Sequence, residues 1–211
     1  TIFRIFSMSK PIVSVALMTL YEEGKFHLDD PVAKYIPSFA KLKVYDNGEM
    51  VDLERPMTVE HLLTHTSGLS YGWSPTAVDT MYAMANIWEP GRNLEAFVDR
   101  IATLPLNFQP GARWEYGVST DVVGRLVEVI SGKPLDQYLQ ERIFTPLGMI
   151  DTGFSVPKDK QDRLAAVYGP NGEGGIMALE SPLTNQIKSP AILFSGGGGL
   201  ASTPPDYLRF A

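Results

Sequence analysis

Residues 3–24 read FRIFSMSKPIVSVALMTLYEEG and join a polar start to a long apolar continuation. The segment 8–22 is apolar nearly all round, which predicts a buried helix, and Gly24 stands where such a helix ends. The polar start contains Ser7 and Lys10. Packing of a buried helix does not explain why a charged lysine stands at its start.

Ser7 and Lys10 form a Ser-x-x-Lys pattern at this helix start. On a helix, residues i and i+3 share a face, so the lysine amine can reach the serine hydroxyl. The backbone N–H groups of a helix start favour a developing oxyanion. To act as a base, Lys10 must be neutral, and the apolar flank of Phe3, Ile5, Phe6 and Ile12 onward predicts the burial that this requires. The alternative is an ordinary cap at Ser7, with Lys10 reaching to solvent.

Two other patterns suggest chemistry but lack its surroundings. GLSYG matches a nucleophile elbow centred on Ser70, yet every histidine of the chain precedes it, whereas that motif needs a later one. His61 and His65 have zinc-helix spacing, but Leu62 replaces the glutamate of that motif. We therefore expect structural roles for these residues, and neither a metal site nor a cofactor. The glycine run 196–199 predicts a tight turn or a close backbone approach.

Composition narrows the class of protein. The 211 residues are 44% hydrophobic and 20% charged, which is typical of a globular chain. A net charge of −6 without a cluster of basic residues argues against nucleic-acid binding. The absence of cysteine leaves out disulfides and thiol nucleophiles. The longest apolar run is roughly half of what a membrane span needs, so we expect no membrane span.

Periodicity divides the chain into three regions. They are a buried helix with the start of a helical region, a mostly helical region, and a region in which segments look like strands and the last element is incomplete, at residues 1–28, 29–155 and 156–211. In the second region, Ser119 or Thr120 is expected to cap a helix that Gly132 ends. In the third, RLAAVYG and GIMAL look like strands.

Several segments together are more specific than any one motif. They are SMSK, TVEHLLTHTSGL, PGARWEYGVSTDVVGRLVEVISG, PLGM and SGGGGLASTPPDYLRFA. Together they resemble the serine beta-lactamase-like hydrolases, which include class C beta-lactamases, DD-peptidases and, as the nearest match, family VIII carboxylesterases. The resemblance implies an α+β fold of the beta-lactamase/transpeptidase type. In that fold an antiparallel sheet is flanked by helices, and the active site lies between it and an all-helical region.

The resemblance also implies roles for individual residues. Ser7 matches the nucleophile of the family, Lys10 its base partner, and Tyr116 the tyrosine of the second motif. A lysine ammonium stabilises a neighbouring phenolate, so the pair can share one proton, and its division between Lys10 and Tyr116 stays open here. Ser7 would attack an acyl carbonyl, and its backbone N–H would supply half of an oxyanion hole.

The second motif bears on the substrate. Val118 stands where class C beta-lactamases and DD-peptidases carry an Asn, which favours a carboxylesterase for small acyl esters with weak beta-lactam hydrolysis. Val118, Tyr71 and Trp73 are, with Ser7, the expected substrate contacts, although the aromatic residues, including Trp88, fit a core equally well. The alternatives are a beta-lactamase or D-amino-acid peptidase, and a penicillin-binding sensor that acylates without turnover.

The extent of the chain shapes a further expectation. The third family motif, Lys-Thr-Gly or its relatives, does not occur, and neither do the strands that precede the nucleophile in the family. We therefore expect an interior portion of a longer enzyme that lacks parts of both ends of the fold. The sequence shows no signal peptide, and the compartment, cytoplasmic or periplasmic, stays open, as does the oligomeric state.

Overall fold

The computed structural model describes residues 1–179 and 185–211. Its helices are α1 (Ser9–Glu22), α2 (Val59–Leu63), α3 (Ala77–Met84), α4 (Leu94–Ile101), α5 (Ser119–Ser131), α6 (Leu135–Leu139), α7 (Thr145–Leu147) and α8 (Pro204–Phe210). A π-helical stretch, Gln140–Phe144, joins α6 to α7. Its strands are β1 (Phe3–Arg4), β2 (Lys43–Asp46), β3 (Glu49–Asp52), β4 (Tyr168–Pro170), β5 (Ile176–Ala178) and β6 (Ala201–Ser202).

The buried helix predicted for residues 8–22 is α1, and the prediction is confirmed to within one residue. It packs against α5 and α6 through side chains that are almost fully buried, namely Ile12, Val13, Ala16, Leu17 and Leu20. Fully burying a valine, leucine or isoleucine side chain stabilises the fold by about 1.5–3 kcal/mol. The start of α1 is therefore held rigidly by the core behind it.

Helix α5 begins at Ser119, so neither Ser119 nor Thr120 stands before the helix as a cap. Val118 occupies the N-cap position, while Ser119 and Thr120 are buried inside the helix, so the predicted cap is wrong. The hydroxyl of Ser119 instead shares a hydrogen bond with that of Ser67, at 2.8 Å. Gly132 ends α5 in the left-handed conformation, at φ +71°, as predicted.

The strands pair antiparallel, as β1 with β6, β2 with β3, and β4 with β5. The last pair overlaps the two segments that look like strands in the sequence, but β4 covers only the end of the first segment and extends one residue past it, to Pro170. The first pair sets Phe3 opposite Ser202 and brings the two ends of the chain together. Because β1 leads into α1 and β6 follows the glycine run, this pairing places the run beside the start of α1.

Among residues 1–179 and 185–211, no helix combines the length and the apolar character that a membrane crossing requires.

Candidate active site

Ser7 lies in a 3-10 turn, Phe6–Met8, between β1 and α1. Phe6, directly before it, has φ +43°, a left-handed conformation that is unusual and strained for an aromatic residue. This turn leaves Ser7 exposed at the mouth of the helix. Ser9 is buried instead, and its hydroxyl accepts a hydrogen bond from the Leu200 amide at 3.1 Å, which gives Ser9 a structural role.

The structure brings Ser7, Lys10 and Tyr116 into one hydrogen-bonded group. Tyr116 Oη donates to Ser7 Oγ at 2.7 Å, and Lys10 Nζ donates to the same oxygen at 3.2 Å. Lys10 Nζ also donates to the carbonyl oxygen of Gly197 at 2.7 Å. The serine hydroxyl is thus in direct contact with two groups that can exchange protons with it.

Lys10 is half-buried. Of the apolar residues expected to bury it, Ile12 is fully buried and Ile5 is half-buried, but Phe3 and Phe6 are 43% and 50% exposed. Lys10 Nζ lies instead over the rings of Tyr116 and Tyr71, 4.6 and 5.6 Å from their centroids. Ring faces and a carbonyl oxygen are the partners that an ammonium group prefers.

The electrostatics of the group favour proton transfer at Tyr116. Burial alone would raise its pKa, but hydrogen bonds with Lys10 and Ser7 and the charge of Lys10 outweigh burial, so the pKa of Tyr116 lies below its ordinary value. Next to it, the His65 ring lies 5.1 Å away between centroids. Burial, assisted by the Lys10 charge, lowers the pKa of His65 and favours its neutral form.

An aromatic stack borders the group. Tyr71 is 8% exposed and stacks on Trp73 with centroids 4.2 Å apart, while Trp73 itself is 72% exposed. Trp88 lies on Tyr71 at 6.2 Å and packs against Phe97 at 4.8 Å. Tyr71 therefore joins the core to the site, and Trp73 offers a ring to solvent.

Val118 does not take the position expected of a substrate contact. Its side chain is fully buried at the start of α5 and has no surface for a ligand. Trp114, which the sequence reasoning passed over, is 65% exposed and stacks on Tyr116 at 6.3 Å. Its signal in the sequence was an aromatic residue two positions before Tyr116.

The glycine run is confirmed as a close backbone approach. A Cβ on Gly196 would lie 2.5 Å from the carbonyl oxygen of Thr120. The sequence reasoning also missed Asp121, which is fully buried and accepts from Ser195 Oγ at 2.6 Å and from Gly197 N–H at 3.1 Å. Its signal was an acidic residue in the first turn of a helix, directly before the apolar pair Val122 and Val123.

The competing motifs have structural roles, as predicted. Ser70 is buried and donates to Asp79 at 2.6 Å, so it is not presented as a nucleophile. His61 Nδ1 accepts from the Thr58 amide at 3.1 Å and completes a capping box at α2. Within the described part of the chain, no group of three or more acidic, histidine or cysteine residues could hold a metal ion.

The chain resembles many other proteins, of which three are described. Protein Rv1367c of Mycobacterium tuberculosis is 38% identical over 216 residues, covering 100% of this chain and 53% of that protein. Esterase EstB of Burkholderia gladioli is 32% identical, covering 99% of this chain and 56% of its own. The structure of EstCE1, a hydrolase with promiscuous acyltransferase activity, is 28% identical, with a TM-score of 0.80, covering 99% of this chain and 57% of that one.

The chain spans about half the length of the curated relatives that it matches. Similar solved structures share its beta-lactamase/transpeptidase-like fold, so the α+β fold inferred from the resemblance is confirmed. The family model described as Beta-lactamase matches residues 1–211. The chain therefore belongs to the beta-lactamase family.

Proposed function

We propose that the protein is a carboxylesterase that cleaves small acyl esters through an acyl-enzyme on Ser7. The observation that carries this proposal is the contact of Ser7 Oγ with both Tyr116 Oη, at 2.7 Å, and Lys10 Nζ, at 3.2 Å. A serine becomes a useful nucleophile when an adjacent base takes its proton. The esterase and hydrolase names of related proteins support the same class of reaction.

Tyr116 is the proton carrier in this proposal, and Lys10 is the cation that stabilises its phenolate. The lowered pKa of Tyr116 supports the first role. The Gly197 carbonyl and the two ring faces around Lys10 support the second, since all three are partners for an ammonium group. Dividing the roles in this way leaves the charge of Lys10 unchanged through the cycle.

The reaction proceeds in two balanced halves. With Tyr116 as the phenolate, Ser7 Oγ bonds to the ester carbonyl carbon while its proton passes to Tyr116 Oη, and the oxyanion forms near the backbone N–H of Ser7. The ester C–O bond then breaks, and the leaving alcohol takes the proton from Tyr116. In the second half a water molecule gives its proton to Tyr116 and attacks the acyl carbon. Collapse of that intermediate releases the acid and returns the proton to Ser7.

The surroundings of the site support an ester over a beta-lactam. Val118 offers neither an amide group nor exposed surface, so nothing at this position holds a substrate amide. Trp73 and Trp114, which are 72% and 65% exposed, present ring faces to an apolar acyl or alcohol group. A comparison of p-nitrophenyl butyrate with a chromogenic cephalosporin tests this preference. A much larger kcat/KM for the cephalosporin would replace the esterase proposal with a beta-lactamase.

Fluorophosphonate labelling of the full-length protein, followed by peptide mapping, tests the nucleophile. We expect modification at Ser7 and none at Ser70, and we expect Ser7→Ala to abolish turnover. Ser70→Ala is the matched control because it also removes a serine hydroxyl, one that is buried. Modification at Ser70, or full turnover by Ser7→Ala, would overturn the assignment. An adduct with substrate that persists in intact mass spectra would instead indicate a sensor without turnover.

A further inference from the structure

Gly197 is held from both of its sides. Its carbonyl oxygen accepts from Lys10 Nζ at 2.7 Å, and its N–H donates to Asp121 Oδ1 at 3.1 Å. Ser195 Oγ donates to the same carboxylate oxygen at 2.6 Å and fastens the turn at a second point. The orientation of the carbonyl that receives Lys10 is thus set through the amide of the same residue.

The turn lies directly on the start of α5 at residue 197. A Cβ on Gly197 would come within 2.5 Å of Asp121 Oδ2 and 3.0 Å of Tyr71 Oη. A Cβ on Gly198 would meet only the backbone of Phe6, at an ordinary 3.7 Å. The fit between the turn and Asp121 is therefore specific to one residue of the glycine run.

Burying the carboxylate of Asp121 costs free energy. Its side chain is inaccessible, and its Oδ2 atom has no hydrogen-bond partner among the residues that the structure describes. Burial raises its pKa, against the hydrogen bonds from Ser195 and Gly197 and the charge of Lys10. Lys10, on α1, and Tyr71, in the loop after α2, are the titratable groups that interact electrostatically with it. A carboxylate kept at such a cost suggests a role beyond packing.

We propose that Asp121 is a positioning residue: it holds the Gly197 amide so that the Gly197 carbonyl fixes the Lys10 ammonium beside Tyr116 and Ser7. This inference rests on the proposed function and extends it to residues that touch no substrate. Tyr116 lies just before α5, and Asp121 lies in its first turn. The start of α5 therefore fixes the position of Tyr116 and, through Asp121 and the glycine turn, the position of the Lys10 ammonium.

The test compares Asp121→Ala with Asp121→Asn in the full-length protein, by steady-state hydrolysis of p-nitrophenyl butyrate. The asparagine keeps an acceptor oxygen for the Gly197 amide, whereas the alanine removes it. A displacement of about 1 Å at a catalytic group can cost about 100-fold in rate. We expect Asp121→Ala to lower kcat by about 10- to 100-fold with little change in KM, and Asp121→Asn to keep kcat within about threefold. Equal losses in both variants, or no loss in the alanine variant, would overturn the proposal.

Two neighbouring glycines keep the proposal testable if Asp121→Ala does not fold. Gly197→Ala must push the turn away from Asp121, and we expect at least about a tenfold loss of kcat. Gly198→Ala has room for its methyl group, and we expect kcat within about twofold of wild type. Equal kcat in the two variants would contradict a role for the orientation of Gly197.

Two controls distinguish the positioning role of Asp121 from a general effect of a buried carboxylate and from a failure of the proposed function. Asp206 is also buried and accepts a backbone N–H, from Asp151 at 2.7 Å, so Asp206→Asn reports the general cost of altering a buried carboxylate. A loss of kcat in Asp206→Asn as large as in Asp121→Ala would overturn positioning as the cause. Ser7→Ala is assayed alongside. If it stays active, the proposed function fails; if it is inactive while Asp121→Ala is fully active, only the present inference fails.

Discussion

Replacing Tyr116 with phenylalanine removes one oxygen atom from the site and keeps the ring. That oxygen lies 2.7 Å from Ser7 Oγ, and it is the atom that the proposed mechanism uses to carry the proton. The ring contacts with His65, Tyr71 and Trp114 do not depend on the hydroxyl. The substitution therefore tests proton transfer with little disturbance of packing.

The expected loss follows from the geometry that remains. A positioned acid or base contributes about 10²- to 10⁴-fold in rate, or about 2.7–5.4 kcal/mol of barrier. Lys10 Nζ stays at 3.2 Å from Ser7 Oγ and offers a poorer route for the proton, which places the expected loss at the low end. We predict that Tyr116→Phe lowers kcat for p-nitrophenyl butyrate by about 10²- to 10³-fold. Because Ser7 is exposed, water replaces the lost hydrogen bond, and stability should fall by less than about 1 kcal/mol.

Tyr138→Phe is the matched control for this prediction. The Tyr138 hydroxyl shares a 2.7 Å hydrogen bond with that of Thr19, away from Ser7, and the residue is 5% exposed. Its loss should cost about 0.5–1.5 kcal/mol in urea unfolding and leave kcat within about twofold. The reasoning is refuted if Tyr116→Phe keeps kcat within about threefold of wild type, or if Tyr138→Phe loses as much as Tyr116→Phe.

Three further measurements test other parts of the structure. Because the pKa of Tyr116 is lowered, kcat/KM should rise with pH along a limb that lies below the value of about 10 for free tyrosine; a limb at or above it contradicts the assignment. Ser70→Ala should keep its turnover yet lose about 1–3 kcal/mol of unfolding free energy, since it removes a buried donor to Asp79; unchanged stability counts against that role. Hydrogen bonding to Arg163 lowers the pKa of Asp151 from 3.8 to about 2, so its stabilisation is full above about pH 4 and disappears as the pH falls through 2. Asp151→Asn should thus show a smaller drop in Tm than wild type between about pH 6 and 3, and an equal drop would exclude this linkage.

The parts of the fold that depend on local sequence could be predicted. Helix α1 and the glycine that ends α5 follow from apolar spacing and from the left-handed conformation that glycine adopts readily. The cap of α5 could not be predicted, because a buried hydrogen bond between Ser119 and Ser67 competes for the hydroxyl, and Ser67 lies far away in the sequence. Local rules describe a cap only where tertiary contacts make no other use of the same side chain.

The candidate active site likewise contains residues that local sequence predicts and residues that it does not. The spacing of Ser7 and Lys10 on neighbouring turns is local, and the structure has the two side chains 3.2 Å apart. The place of Tyr116 came from the family resemblance and not from the residues themselves. Asp121 was missed because its partners, Ser195 and Gly197, lie more than 70 residues further along the chain and come near it only in the folded protein.

The surroundings of Lys10 bear on the chemistry. Apolar neighbours along the sequence predict an amine desolvated enough to serve as a base, but two of them, Phe3 and Phe6, are about half exposed. The contacts that the fold supplies instead are a carbonyl oxygen, two ring faces and a buried carboxylate in electrostatic reach, and each of these is suited to a positive charge. A lysine that stays a cation cannot accept the proton of Ser7, so another group has to accept it. The oxygen of Tyr116 is in contact with Ser7 Oγ and can take that role. The assignment of the base to Tyr116 thus follows from the surroundings of Lys10 as much as from Tyr116 itself.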